Sequence, residues 1–210
     1  MIFLKDYKGE LMKNISQLLF CALIFSIITI YASDGSNLQF RVAQALIEAV
    51  SNDNVGLTEI VLNHKACPNA KIEHGITPLH IAASRGNVRT VSVLIKHGAL
   101  LDLANDFGQT ALHFAAMYGY PDVINILSQH HANINAPDAG YETPLHAAIR
   151  YKQPESVKAL LTCKANPDLP NSKNETPAQL AQHSDNKDIN LLLSEWPSLH
   201  SSAGKSSPKL

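Results

Sequence analysis

The chain is poor in cysteine and nearly without net charge. Three cysteines in 210 residues are too few to staple a disulfide-built scaffold, and the absence of a CxxC pair removes the usual zinc knuckle. Lys and Arg number 17 against 18 Asp and Glu, a formal charge of −1. That balance supplies no field to draw in nucleic acid or an acidic membrane. A disordered tail, a basic nucleic-acid binder and a cystine-stapled toxin are all disfavoured. What is present is a 45% hydrophobic fraction, enough for a packed core in one or two ordinary domains.

Long apolar runs are confined to the start. Ile15 to Ala32 is apolar, densest from Leu18 to Ile30, follows Lys5, Lys8 and Lys13, and holds no acidic residue. A basic start, an apolar core and a small exit residue describe a secretory signal peptide over residues 1–32, with cleavage expected after Ala32. Met12-Lys13-Asn14 also makes a well-formed signal-peptide start of bacterial appearance, which points to Met12 as the initiator. The expected location is the periplasm or the cell exterior. The alternative is an uncleaved inner-membrane anchor, since about 18 apolar residues just suffice to span a bilayer. Cys21 makes a poor lipoprotein site, lying mid-run behind bulky Phe20.

Beyond this segment the sequence repeats. Thr77-Pro-Leu-His80, Thr110-Ala-Leu-His113 and Thr143-Pro-Leu-His146 recur every 33 residues, and Thr176-Pro177 keeps the register. Ala49, Ala82, Ala115, Ala148 and Ala181 align without a gap. So do Ala66, Ala99, Ala132 and Ala165, and likewise Val61, Leu94, Leu127, Leu160 and Leu193. Several columns in phase across four or five units identify a repeat protein.

The multi-copy TPLH-x-A-A pattern resembles the ankyrin repeat. The resemblance implies an all-α solenoid of about five helix-turn-helix units, at 39–71, 72–104, 105–137, 138–170 and 171–200, with a disordered tail at 201–210. Irregular composition already begins at Glu195, and Trp196 is a candidate to fold back on the last unit. The residue types have physical reasons. Thr suits a helix N-cap, Pro the first helical position, and Leu79, Ala82 and Ala83 a close-packing stripe. Pro121 and Pro154, followed by Asp122 and Glu155, suit the start of the second helix. Lys65, His131 and Lys164 stand where the family expects the left-handed glycine seen at Gly98, which predicts modest stability. Gln182, His183, Asp185, Asn186 and Lys187 read as the polar outer face of a C-terminal cap.

The search for chemistry finds no catalytic set, cofactor or metal site. His80, His113 and His146 follow the repeat period and are expected to hydrogen-bond across loops and neighbouring units. His64, His97, His130 and Cys163 form a second column. Units stacked about 8–10 Å apart cannot bring these four within the roughly 2 Å that a zinc ligand needs. Cys67 and Cys163, nearly three units apart, are expected as free thiols, which burial would make compatible with export. Ala203-Gly-Lys-Ser206 resembles the end of a phosphate loop but lacks its leading glycine, where Leu199 stands. The sequon at Asn174-Glu-Thr176 is better explained by Thr176 as a helix cap.

Ankyrin arrays bind proteins through turn tips and the exposed edge of the first helix, along a concave surface. Carried onto this chain, the resemblance implies a partner-binding face of Arg85, Phe107, Gln109, Met117, Tyr118, Tyr141, Glu142, Arg150 and Tyr151, with Tyr141 in the place of a turn glycine. Aromatic residues, Met and Arg are enriched at interface cores. The competing reading packs these rings against their own helices. The expectation is a monomeric, non-catalytic scaffold for another protein, with no nucleic acid and no membrane after signal cleavage; the alternatives are a membrane-anchored adaptor and, less favoured, a metal-dependent enzyme with a site hidden in the stack.

Overall fold

Most helices start where the sequence supplies a cap or a proline. The computed structural model describes residues 35–184 and 186–201, and its elements there are helical, with no strand among them. The signal segment at 1–32, Met12, Asp185 and the tail from 202 onward, with Ala203–Ser206, lie outside the described residues. Ten α-helices form five hairpins: α1 (Gly35–Ser51) with α2 (Val55–Asn63), and α3 (Pro78–Arg85) with α4 (Val88–Lys96). Then come α5 (Ala111–Tyr118) with α6 (Pro121–Gln129), α7 (Pro144–Arg150) with α8 (Pro154–Thr162), and α9 (Pro177–Gln182) with α10 (Lys187–Ser201). Thr77, Thr110, Thr143 and Thr176 stand at the N-cap of the inner helices α3, α5, α7 and α9 in extended conformation. Pro121 and Pro154 open α6 and α8 as the sequence predicts, with Asp122 and Glu155 in their first turns.

The hairpins stack in chain order. Inner helices pack as α3 on α5, α5 on α7 and α7 on α9, and outer helices as α2 on α4, α4 on α6, α6 on α8 and α8 on α10. The repeating alanines let inner helices approach closely: Ala49, Ala82, Ala115, Ala148 and Ala181 are all buried. The leucines on either side fill the layer between inner and outer rows, with Leu79, Leu112, Leu145, Leu94, Leu127 and Leu160 inaccessible or nearly so. The core is therefore one continuous slab, each layer shared by two units.

The ends depart from the expected boundaries. α1 begins at Gly35, before Gln39, and is 17 residues long against eight in α3. At the places of the capping Thr and Pro it carries Gln44 and Ala45, so nothing stops the helix from extending toward the N-terminus. At the other end α10 runs through Glu195 to Ser201, past the start of the Ser- and Pro-rich composition. Trp196 lies half-buried against the core, which holds this last stretch on the stack. Of the cap residues, Gln182, His183 and Lys187 are exposed, but Asn186 serves the helix: its Oδ1 accepts the Asp188 and Ile189 amides at 3.1 and 3.2 Å. Cys67 and Cys163 are free thiols, Cys67 exposed and Cys163 half-buried.

Lys65, His131 and Lys164 hold φ of 67°, 67° and 68°, the left-handed conformation that Gly98 takes at 83°. Space is open at Gly98, so the strain at the other three is a backbone matter. Replacing Lys65, His131 and Lys164 by Gly is expected to stabilise the stack by about 1 kcal/mol each. Urea titration of each variant measures this, and an unchanged midpoint would remove the strain account.

Candidate interaction surface

Three buried histidines join each inner helix to the loop of the next unit. The Thr77 amide donates to His80 Nδ1 at 3.2 Å, and the Thr77 hydroxyl lies 2.8 Å from the same nitrogen. His80 Nε2 sits 2.9 Å from the Gln109 carbonyl of the next unit. The same arrangement joins Thr110, His113 and Glu142, with 3.0 Å to the carbonyl, and Thr143, His146 and Glu175, with 3.1 Å. An amide must donate and a carbonyl must accept, so Nδ1 is bare and Nε2 carries the proton in all three rings. Each ring is thus a neutral staple between the start of one inner helix and the loop of the following unit. Burial pushes all three imidazoles below their usual range, while the bond to the carbonyl pulls the other way.

These staples fix the residues that follow each loop tip. The tips are also linked by one backbone bond per unit: Asp106 N–H to His74 O, Ala139 N–H to Phe107 O, and Ser172 N–H to Gly140 O. Inside the loops, Asn105, Asp138 and Asn171 fold their side chains back onto their own backbone. Asn105 Oδ1 accepts the Phe107 and Gln109 amides, and Asp138 Oδ1 accepts those of Gly140 and Glu142. This column at 105, 138 and 171 was recoverable from the 33-residue period, since Asn and Asp are the residues that make such turns.

On this frame, Phe107 is 58% exposed, Tyr118 52%, Tyr141 64% and Tyr151 52%. Tyr118 has a ring neighbour on its own helix, Phe114, while remaining half exposed. Arg85 and Arg150 are exposed at the ends of α3 and α7, while Met117 and Gln109 are half-buried. Gln109 is held by Asn105 Nδ2 at 3.3 Å. Arg150 grips Glu142 through two nitrogens, and Asn171 Nδ2 reaches Glu142 Oε1 at 3.4 Å. Hydrogen bonding from the Glu142 carboxylate holds the Arg150 guanidinium above its usual range. The pair joins two expected site residues that sequence spacing alone does not bring together.

Phe114, half-buried against the core, borders two of these residues. It lies edge-on to His80 with ring centres 5.3 Å apart, and 6.4 Å from Tyr118. Its column reads Ile81, Phe114, Ala147, Leu180, which looks like plain core and carries no signal for a surface role. Phe107 similarly leans on His74 of the preceding tip at 6.1 Å. Tyr141 sits at φ 59°, in register with Gly75 at 70° and Gly108 at 77°. A tyrosine both strained and exposed contributes nothing to the core, which points to a use outside it.

Among the described residues no group of three or more His, Cys, Asp or Glu side chains is placed to hold a metal ion, and no helix is long and apolar enough to cross a membrane. A family model of three tandem ankyrin repeats matches residues 46–138, and a single-repeat ankyrin model matches 141–172. No curated protein matches the chain.

Proposed function

The chain belongs to the ankyrin-repeat family, a family of protein-interaction scaffolds, and from that premise we propose that it is an exported, non-catalytic scaffold that binds another protein through its concave face. The observation that carries the reading is the exposure of Phe107, Tyr118, Tyr141 and Tyr151 on a stack whose own columns do not need them. Large rings left in water cost free energy that only an outside contact recovers, at roughly 25 cal/mol for each Å² covered. Arg150, pinned by Glu142, adds a preorganised guanidinium beside them, a residue type frequent at binding hot spots.

The test compares the native protein with the Tyr118→Ala, Tyr151→Ala double variant in an affinity pull-down from the source cells. The variant is expected to lose a partner that the native protein retains, with the melting transition almost unmoved. A large drop in melting temperature would instead assign these rings to the core and defeat the proposal.

Export is supported by the basic start and the apolar run from Leu18 to Ile30. Cleavage after Ala32 releases the scaffold into the periplasm or beyond. The second reading keeps the run as an anchor and holds the same scaffold at the inner membrane. The intact mass of protein recovered from cells decides between them: loss of residues 1–32 supports release, and a retained segment supports the anchor.

A further inference from the structure

We propose that the face built by α9 and α10 joins a second copy of this chain across a two-fold axis, in place of the monomer expected from the sequence. The contact involves neither Tyr118 nor Tyr151, so it stands apart from the reading of the partner face. Two columns of the repeat change together in the fifth unit. Leu46, Leu79, Leu112 and Leu145 hold the first and are all buried, but its next member is Ala178, half-buried. Glu59, Ser92, Asn125 and Lys158 hold the second, and its next member is Leu191, 57% exposed.

The shortened side chain at 178 borders a groove of about 580 Å³ between α9 and α10, over Ala178, Ala181 and Leu193, and Leu191 stands at its edge. Hole and knob thus lie on one face. The second column is also the one that reaches across to the following unit. Glu59 Oε1 accepts from Lys96 Nζ at 2.9 Å, and Cys163 Sγ lies 3.7 Å from Asn125 Oδ1. Leu191 therefore continues an interface that the stack already uses, with an apolar side chain where the other units carry polar ones. A face that holds both a hole and a knob is complementary to itself, because a two-fold axis sets each knob over the other copy's hole.

Charge selects the same arrangement. Lys187 and Glu195 are both exposed, one helical turn before and after Leu191 on α10, and so lie toward the same side of that helix. Antiparallel packing of two α10 helices about an axis at Leu191 sets each Lys187 opposite the other copy's Glu195. It also sets Asp188 opposite uncharged Ser194, so no like charges meet. Parallel packing would oppose lysine to lysine and glutamate to glutamate. The resulting dimer carries two copies of the partner face, which strengthens binding to any partner with two matching segments.

The experiment is sedimentation equilibrium of the protein as recovered from cells, from about 1 to about 100 μM, where a monomer–dimer equilibrium is expected. Leu191→Lys gives the fifth unit the residue that the fourth has at Lys158, and Ala178→Leu refills the leucine column. Each is expected to weaken dimerisation at least about tenfold with the helical circular dichroism unchanged. Lys187→Glu and Glu195→Lys are each expected to weaken it severalfold, and the two together to restore it. A monomeric mass throughout leaves the groove to another occupant and overturns the proposal. So does a dimer indifferent to both Leu191→Lys and Ala178→Leu, or a charge exchange that restores nothing. A mass that grows past the dimer with concentration would replace the two-fold contact by a head-to-tail one and overturn it as well.

Discussion

Taking the protein from about pH 7.5 to about pH 5 is expected to lower the stability of the stack, because three histidines are neutral in the contacts that hold it. In His80, His113 and His146 the bare Nδ1 receives a backbone amide, so a second ring proton would face the Thr77, Thr110 or Thr143 N–H directly. Burial adds to this, and the rings titrate below their ordinary 6.5. The charges around them act in both directions: Lys71 and His113 disfavour a proton on His80, while Asp138 and Glu142 favour one on His113 and His146. Arg150 opposes it at His146. The net shift is downward in each case.

The sign follows from proton counting. With the folded pKa lowered, the unfolded chain binds more protons than the folded one below about 6.5, so stability is full above that pH and falls as the pH drops toward the folded values. The slope is bounded by about 1.4 kcal/mol per pH unit for each ring, and reaches that bound only between the folded and unfolded values. Urea unfolding at several pH values between these limits measures the slope, and a flat profile across this window would show that the rings are not obligate neutrals. His113→Gln is expected to reduce the slope by about one third while costing about 1–3 kcal/mol through the orphaned Glu142 carbonyl.

Unit five already carries that substitution. Gln179 Oε1 accepts the Thr176 amide at 2.9 Å, and the Gln179 amide donates to Thr176 Oγ1 at 3.2 Å, so the helix cap is complete. What glutamine does not reproduce is the second nitrogen reaching into the next loop. Among the described residues Gln179 makes no contact with a following loop, and its cap is satisfied within unit five. The hairpins themselves were legible because each is specified locally, by Thr, Pro and the alanine stripe. Side-chain pairs such as Glu142 with Arg150 were not, because they depend on rotamers that no column records. The length of α1 was hidden for the opposite reason, since a helix without a stop signal has no marked beginning.

Leu127→Ala, in the middle of the stack, is expected to cost about 2–5 kcal/mol, and Leu193→Ala at its end much less, although both occupy the same column of the repeat. Leu127 is wholly buried in α6, between α4 and α8, so its loss leaves a cavity shared by two unit–unit interfaces. Leu193 is only half-buried, in α10, with α8 on one side and a groove over Ala178 and Ala181 on the other. A cavity there is partly open to water, so less burial is lost. In an array whose units touch only their neighbours, the central lesion also uncouples the two halves. The expected signature is a broadened or two-step urea transition for Leu127→Ala and a single step, slightly shifted, for Leu193→Ala. Equal losses at the two positions would mean that stability is pooled over a common core rather than passed from unit to unit. In that case the tyrosines of α5 and α7 would not be held in register by their immediate neighbours alone.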